Sequence, residues 1–210
     1  MLFLSMKKIV TLSETNYLRA LEIAEEYKYI ELRLAKLKLS ILQIKQIINA
    51  SEKTIITDFL SSSNPFICNI LTNEKIIIDI PFDFLADNKN NFDIFSDCQI
   101  LVSYHFWNNF TELLNDNKIY SIIEKMIEAS NVLKINYFKI AVMINNEEEE
   151  EKFFSLFEKY SELKGKLILI PLGKKFQYSR IKSLELGSPF MYCYIDTPAT
   201  DCQLHFSNYP

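Results

Sequence analysis

Short apolar runs that suit β-strands alternate with stretches of helical periodicity along the whole sequence. Parallel strands need a long crossover connection, usually a helix, so this alternation predicts a parallel sheet covered by helices. Eight candidate strands occur, at residues 3–10, 29–34, 54–57, 75–80, 99–105, 137–143, 167–171 and 189–195. Eight strands with intervening helices predict an α/β protein built as a (β/α)8 TIM-type barrel.

The chain is short for such a barrel, with 210 residues against a typical length of about 250. We expect a single barrel domain over residues 1–210, because this length supports one sizeable core. Only residues 196–210 follow the last candidate strand, so the eighth outer helix is expected to be missing or reduced to a turn. If the strand edge left uncovered is apolar, a homodimer is expected to cover it.

Several helices can be placed from caps and apolar stripes. Ser13 is expected to cap a helix that buries Leu18, Leu21 and Ala24, and Ser40 one that buries Ile41, Ile44, Ile47 and Ile48. Two further stripes consist of Ile119, Ile122, Ile123, Met126 and Ile127, and of Phe153, Leu156, Phe157 and Tyr160. The glutamate run 147–151 stands at the start of that last helix, where negative charge suits the helix dipole, and is expected to be solvated.

Composition excludes several classes of protein. The formal net charge is −4 and the lysines are scattered, so nucleic acid is not an expected partner. The first six residues are apolar but far too few to cross a membrane. The cysteines, Cys68, Cys98, Cys193 and Cys202, lie far apart without a Cys-x-x-Cys pair, which favours reduced thiols in a cytoplasmic protein over a zinc site or a disulfide framework.

Two charged residues occupy one apolar strand near its carboxyl end, where TIM barrels carry their catalytic groups. Glu31 and Arg33 are two residues apart and therefore face the same side of the strand. They form either a pre-paired acid and base that line a polar pocket or a buried structural ion pair, and the strand alone leaves both open.

A histidine and a lysine occupy two later strands. His105 ends an apolar strand, where it serves either as an acid–base group or as a structural residue with its hydrogen bonds satisfied. Lys139 lies between Phe138 and Ile140, where burial is expected to lower the pKa of its amine and make it a nucleophile. The alternative is a lysine that extends from a strand end into solvent.

Seven short motifs run in order across nearly the whole chain. They are Glu31-Leu-Arg33, Ile78-Asp79-Ile80, Ser103-Tyr104-His105, Lys139-Ile-Ala, Ser179-Arg180-Ile181, Leu186-Gly187-Ser188-Pro189 and Gln203. Together they resemble the motifs of the type I 3-dehydroquinate dehydratases of the shikimate pathway, which supplies chorismate and the aromatic amino acids.

The resemblance implies a lyase that converts 3-dehydroquinate to 3-dehydroshikimate, with no metal or organic cofactor. It implies that Lys139 forms a Schiff base with the C3 ketone of the substrate. It further implies that His105 takes a proton from C2 and returns it to the departing C1 hydroxyl.

The same resemblance implies four substrate-binding residues. Arg180 is expected to pair with the substrate carboxylate through its planar fork, and Gln203 to add a hydrogen bond nearby. Glu31 and Arg33 are expected to hold the ring hydroxyls.

The sequence also departs from the family pattern. Pro81 stands where the fourth strand usually has the glutamate that orients the histidine, so this partner is either absent or supplied from elsewhere, for example by Asp79 or Asp83. Phe59 stands where the third strand usually has a substrate-binding arginine. Lys134 is a rival to Lys139, although the residues after Lys139 fit the family better.

These departures keep a second hypothesis open, in which the barrel no longer catalyses and serves as a binding or scaffolding protein. A third hypothesis is another Schiff-base lyase on the same barrel, such as an aldolase. The motifs around His105 and Arg180 argue against the third.

Overall fold

The computed structural model describes residues 7–57, 74–87, 98–115 and 117–209. The strands in these ranges are β1 (Lys7–Leu12), β2 (Tyr29–Arg33), β3 (Lys53–Thr57), β4 (Ile76–Pro81), β5 (Gln99–Asn109), β6 (Ile135–Met143), β7 (Leu167–Leu172), β8 (Phe190–Tyr194) and β9 (Leu204–His205). The α-helices are α1 (Tyr17–Tyr27), α2 (Ile41–Ala50), α3 (Phe82–Asp87), α4 (Phe110–Asn115), α5 (Lys118–Ala129), α6 (Glu147–Phe154), α7 (Leu156–Lys159) and α8 (Ser179–Leu186).

The strands form one parallel sheet in the order β7-β6-β5-β4-β3-β2-β1-β8-β9. This is the curled sheet of a TIM-type barrel, so the predicted fold class is confirmed. All eight predicted strands are present, and most of their ends agree within two residues. The differences are that β5 runs four residues further, to Asn109, and that the short β9 was not predicted; residues 3–6 of the first candidate strand lie outside the described ranges.

Two aromatic rings meet inside the barrel. Inside the barrel, Tyr137 of β6 meets Phe190 of β8 edge to face, with 5.2 Å between ring centroids. The residues two positions further along the same strands are Lys139 and Tyr192, which face the same interior one level higher. The Tyr137 and Phe190 rings therefore lie one level below Lys139 and Tyr192.

The two predicted caps have different outcomes. Ser40 caps α2 as predicted and forms a capping box. The Ser40 hydroxyl accepts from the Gln43 backbone N–H, and the Gln43 side-chain oxygen accepts from the Ser40 backbone N–H. The prediction for α1 was wrong, because Asn16 is the capping residue and its side chain accepts from the Arg19 backbone. Helix α1 therefore begins three residues later than a Ser13 cap requires. Of its predicted apolar stripe, Ala24 is buried and Leu21 partly buried, but Leu18 is 67% exposed.

The later apolar stripes pack against the sheet. Helix α5 buries Ile119, Ile122, Ile123 and Met126 as predicted. The stripe from Phe153 to Tyr160 divides into α6 and α7, which meet at Ser155. The expectation of a fully solvated glutamate run was wrong for Glu149, which is buried and accepts hydrogen bonds from the Thr111 hydroxyl and the Asn145 backbone.

Beyond β8, the described residues contain only β9 and a 3-10 turn at Phe206–Asn208, in agreement with a reduced eighth helix. This C-terminal segment, residues 204–209, packs on the barrel wall. The Tyr209 hydroxyl donates to the Tyr192 carbonyl at 3.2 Å, the Lys8 amine donates to the Tyr209 carbonyl at 3.0 Å, and the Phe206 ring meets that of Tyr27. In the described ranges, none of the helices has the length and apolar character needed to cross a membrane.

Candidate active site

A cavity of about 340 Å³ opens at the carboxyl ends of the strands, with a volume typical of small-molecule sites. All six predicted site residues line it: Glu31, Arg33, His105, Lys139, Arg180 and Gln203. They come from β2, β5, β6, α8 and the loop before β9. The fold thus brings the six side chains together, while their individual roles stay predictions.

Lys139 forms a buried ion pair with Asp79. The amine donates to Asp79 Oδ2 from the other side of β5, and the two residues are only 3% and 2% exposed. Lys139 therefore does not extend into solvent, and the alternative of a strand-end lysine is excluded. Its rival Lys134 is exposed and precedes β6, away from the residues that line the cavity.

Glu31 is held by a network of neutral groups. Its two carboxylate oxygens accept from the hydroxyls of Thr11 and Thr57, both at 2.7 Å. The Gln203 amide donates to the Thr11 hydroxyl at 2.8 Å and to the Cys193 carbonyl at 3.0 Å. Gln203 therefore fixes Thr11, which in turn fixes Glu31.

Glu31 and Arg33 do not form the structural ion pair that their spacing left open. Within the described ranges no salt bridge joins them, although both line the cavity. Both alternatives expected the two residues to pair, and that part was wrong; the two charged groups line the same cavity without a salt bridge between them.

Arg180 is a buried cation. It is 3% exposed, and its guanidinium donates to the Pro171 carbonyl at 3.4 Å and to the Cys202 sulfur at 3.2 Å. No carboxylate of the described residues lies within salt-bridge distance of it. Because an unpaired buried charge is costly, an anionic ligand is the expected partner of Arg180.

His105 lies higher in the cavity than Lys139. Ser103 is the register partner of Lys139, and His105 that of Ala141, so His105 is two residues, or about 7 Å of strand, nearer the mouth. The His105 ring is exposed and lies nearly parallel to the Trp107 ring, with 6.4 Å between the two centroids.

The suggestion that Asp79 orients His105 was wrong. One oxygen of Asp79 accepts from Lys139 and the other has no hydrogen-bond partner among the described residues. The side chain of Asp83 is exposed on α3, and its charge together with burial raises the pKa of Tyr104. Pro81 lines the cavity, and Phe59 lies outside the described residues.

Sequence reasoning missed four residues of the site. They are Thr11 and Thr57, which hold Glu31, Cys202, which contacts Arg180, and Tyr192, whose ring centroid lies 5.1 Å from the Lys139 amine. Strand alternation would have found Tyr192, since it shares the inward face of β8 with Phe190. No sequence signal marks the other three.

Comparisons with known proteins bear on the family and the fold. No family model matches the chain. The chain is 26% identical over 127 residues to a curated protein of Archaeoglobus fulgidus named 3-dehydroquinate dehydratase, a match that covers 60% of this chain and 55% of that protein. The chain thus spans little more than half the length of this curated relative.

Solved structures of the same name share the fold. The 3-dehydroquinate dehydratase of Geobacillus kaustophilus superposes with a TM-score of 0.74 at 13% identity, over 97% of this chain and 88% of that one. The enzyme of Aquifex aeolicus gives 0.70 at 19% identity, over 95% and 94%. The type I enzyme of Clostridium difficile, solved with a covalent modification by comenic acid, gives 0.65 at 15% identity, over 96% and 89%. The resemblance to this family that the motifs predicted is therefore confirmed in both sequence and fold.

Proposed function

We propose that this protein is a type I 3-dehydroquinate dehydratase, a hydro-lyase of the shikimate pathway that forms 3-dehydroshikimate through a Schiff base. The observation that carries the proposal is the group of three charges around one cavity: the buried Lys139 and Asp79 pair, and Arg180 without a carboxylate partner among the described residues. Such a site suits a substrate with a ketone for the lysine and a carboxylate for the arginine.

Lys139 is the proposed nucleophile. An amine attacks a carbonyl through a free lone pair, so the ammonium must first lose a proton, and Asp79 is the adjacent acceptor. Of the three ammonium protons, one stays on the iminium nitrogen and two leave with the former ketone oxygen as water. Asp79 serves as the carrier that takes the first proton from nitrogen and returns it to oxygen.

His105 is the proposed acid–base group of the elimination. Its position nearer the mouth of the cavity suits a group that acts on C2 and the C1 hydroxyl while C3 is bonded to Lys139 below. The imidazole takes the C2 proton, the electron pair of that bond moves toward the iminium, and the proton returns to the hydroxyl that leaves as water.

The remaining cavity residues bind the substrate in this proposal. Arg180 pairs with the carboxylate, which removes the cost of its buried charge. Glu31, held by two threonines, accepts from a ring hydroxyl, and Arg33 donates to one. Gln203 acts mainly through Thr11, because its amide group already donates to protein atoms.

The cellular context is also part of the proposal. We place the protein in the cytoplasm, with the small molecule 3-dehydroquinate as its partner and with neither nucleic acid nor membrane. A homodimer remains the expected cover for an apolar strand edge, and a mass measurement in solution tests it.

The direct test is incubation of the purified protein with 3-dehydroquinate and sodium borohydride. We expect dehydroshikimate absorbance without borohydride and, with it, a reduced covalent adduct that peptide mass spectrometry locates at Lys139. Lys139→Met should abolish both signals, whereas Lys134→Met, at an exposed lysine of the same region, should keep them.

His105→Gln separates binding from elimination. The variant should still give the borohydride adduct but lose at least about a hundredfold in kcat, the scale of a lost acid–base group. The alternative hypothesis, suggested by Pro81, is a scaffold that no longer catalyses. It predicts neither product nor adduct in the wild-type protein.

A further inference from the structure

Tyr192 places a phenol beside the proposed nucleophile. In a barrel of this type, inward side chains from alternate strands meet in layers, and here Asp79 of β4 bonds to Lys139 of β6 with Tyr192 of β8 beside them. The Lys139 amine lies 5.1 Å from the Tyr192 ring centroid. Neither the motifs nor the proposed mechanism gives Tyr192 a role.

The hydroxyl of Tyr192 is buried and unpaired. Tyr192 is 5% exposed and lines the cavity, yet its Oη has no hydrogen-bond partner among the described residues. The neighbouring Asp79 Oδ1 is in the same condition. Buried polar atoms are nearly always hydrogen-bonded, so the unpaired hydroxyl of a residue that lines the cavity points to a ligand atom as its partner.

The phenol is suited to donate a hydrogen bond and not to act as a base. Burial, followed by the negative charges of Glu31 and Asp79, raises the pKa of Tyr192 well above its ordinary value. The hydroxyl therefore stays protonated at neutral pH. A neutral donor held rigidly in a dry site is the kind of group that stabilises negative charge developing on an oxygen.

We propose that Tyr192 is a further catalytic residue, whose phenol donates a hydrogen bond to the ketone oxygen of the substrate while Lys139 adds to the carbonyl carbon. This inference rests on the function proposed above. In the addition, the amine lone pair forms the C–N bond and the C=O π pair moves onto the oxygen. That oxygen takes up the proton held by Asp79, and the phenol keeps its own proton throughout.

Tyr192→Phe tests the role, because it removes the hydroxyl and keeps the ring. We expect the single-turnover rate of adduct formation, trapped with borohydride, to fall about tenfold to a hundredfold. KM should change less than about threefold, and the elimination step measured from preformed adduct should keep its rate, since both depend on other groups. The midpoint of thermal unfolding should rise by about 2–4 °C, because an unpaired buried hydroxyl is removed.

Tyr160→Phe is the matched control. The Tyr160 hydroxyl is also buried without a partner among the described residues, but it lies at the end of α7, away from the cavity. This variant should gain a similar thermal shift and keep the wild-type rate of adduct formation.

The outcomes separate the two proposals. If the wild-type protein forms the adduct and Tyr192→Phe forms it equally fast, the role of Tyr192 is refuted and the proposed function stands. Equal slowing of adduct formation and elimination indicates a merely structural hydroxyl and also refutes the role. If the wild-type protein forms no adduct at Lys139, the proposed function fails and the role of Tyr192 fails with it.

Discussion

At the scale of single residues, the site is dominated by the buried pair of Lys139 and Asp79. Two opposite charges removed from water attract each other strongly but lose their hydration, so the pair contributes little net stability while it is intact. Loss of one partner is different, because the remaining charge stays buried and unpaired. Each residue of the pair therefore needs the other to compensate its buried charge. Such a pair suits a site that needs a buried lysine.

Lys139→Met should therefore destabilise the protein as well as stop the reaction. The side chains are similar in length, so the main effect is an uncompensated Asp79 carboxylate that is 2% exposed in the wild type. We expect the free energy of unfolding in urea to fall by about 3–5 kcal/mol.

The double variant Lys139→Met/Asp79→Asn is the control for that interpretation. It should recover at least about 1 kcal/mol relative to Lys139→Met, while the adduct stays absent. Additive effects of the two substitutions would show that the ion pair does not couple the residues.

A second prediction concerns the buried thiol of Cys193. Burial raises the pKa of Cys193 from 9.0 to about 12, and its Sγ donates to the Ile9 carbonyl. Between these values the folded state keeps a proton that the unfolded state has lost, so stability is full below pH 9 and falls as the pH rises toward 12. One group contributes at most about 1.4 kcal/mol per pH unit.

Cys193→Val removes that ionisation with little change in volume. Urea unfolding at pH 7 to pH 10.5 should show a shallower loss of stability for the variant than for the wild type above pH 9. Parallel curves would show that the thiol does not contribute to alkaline unfolding.

At the scale of elements, the two caps show what local sequence determines. Ser40 has Gln43 three residues later, and this capping box marks the start of α2 unambiguously. Ser13 has no such partner, and Asn16 competes with it three residues further on. The spacing of the apolar residues is compatible with a helix that begins after Ser13 or after Asn16. In the structure the helix begins after Asn16 and buries Ala20, Ile23 and Ala24.

Ser40→Ala should cost about 1 kcal/mol, because the backbone N–H of Gln43 loses its acceptor, the Ser40 hydroxyl, at the start of α2. Denaturation in urea measures the loss. Ser121→Ala, at an exposed position inside α5, is the matched control and should change stability by less than about 0.5 kcal/mol. A similar cost at both serines would contradict the capping role.

At the scale of the whole molecule, sequence predicted which residues share one face of a strand but not which of them meet. The shared face of Glu31 and Arg33 follows from strand periodicity, and the positions of His105 and Lys139 follow from strand order. The pairing of Lys139 with Asp79 joins residues 60 apart, and the bond from Gln203 to Thr11 joins residues 192 apart. Such contacts depend on the order and curvature of the strands in the sheet, which no local pattern encodes.

The C-terminal segment is the clearest case of a long-range device. Tyr209 is 5% exposed and bonds to the Tyr192 carbonyl and, through its own carbonyl, to Lys8. It thereby ties the segment to β8 and β1, which are neighbours in the sheet. The segment should hold these two strands together on the side where the outer helix is reduced.

Tyr209→Ala should lower the free energy of unfolding by about 3 kcal/mol, because a large buried ring is lost. Tyr209→Phe, which loses only the hydroxyl bond, should cost about 1 kcal/mol. Hydrogen exchange should show that the amides of β8 and β1 lose protection in Tyr209→Ala before those of β5 and β6, which lie further round the barrel. Tyr178→Ala, at a residue 58% exposed, is the control and should leave exchange unchanged. Uniform loss of protection across all strands would mean that the segment stabilises the barrel as one unit and does not hold β8 to β1 locally.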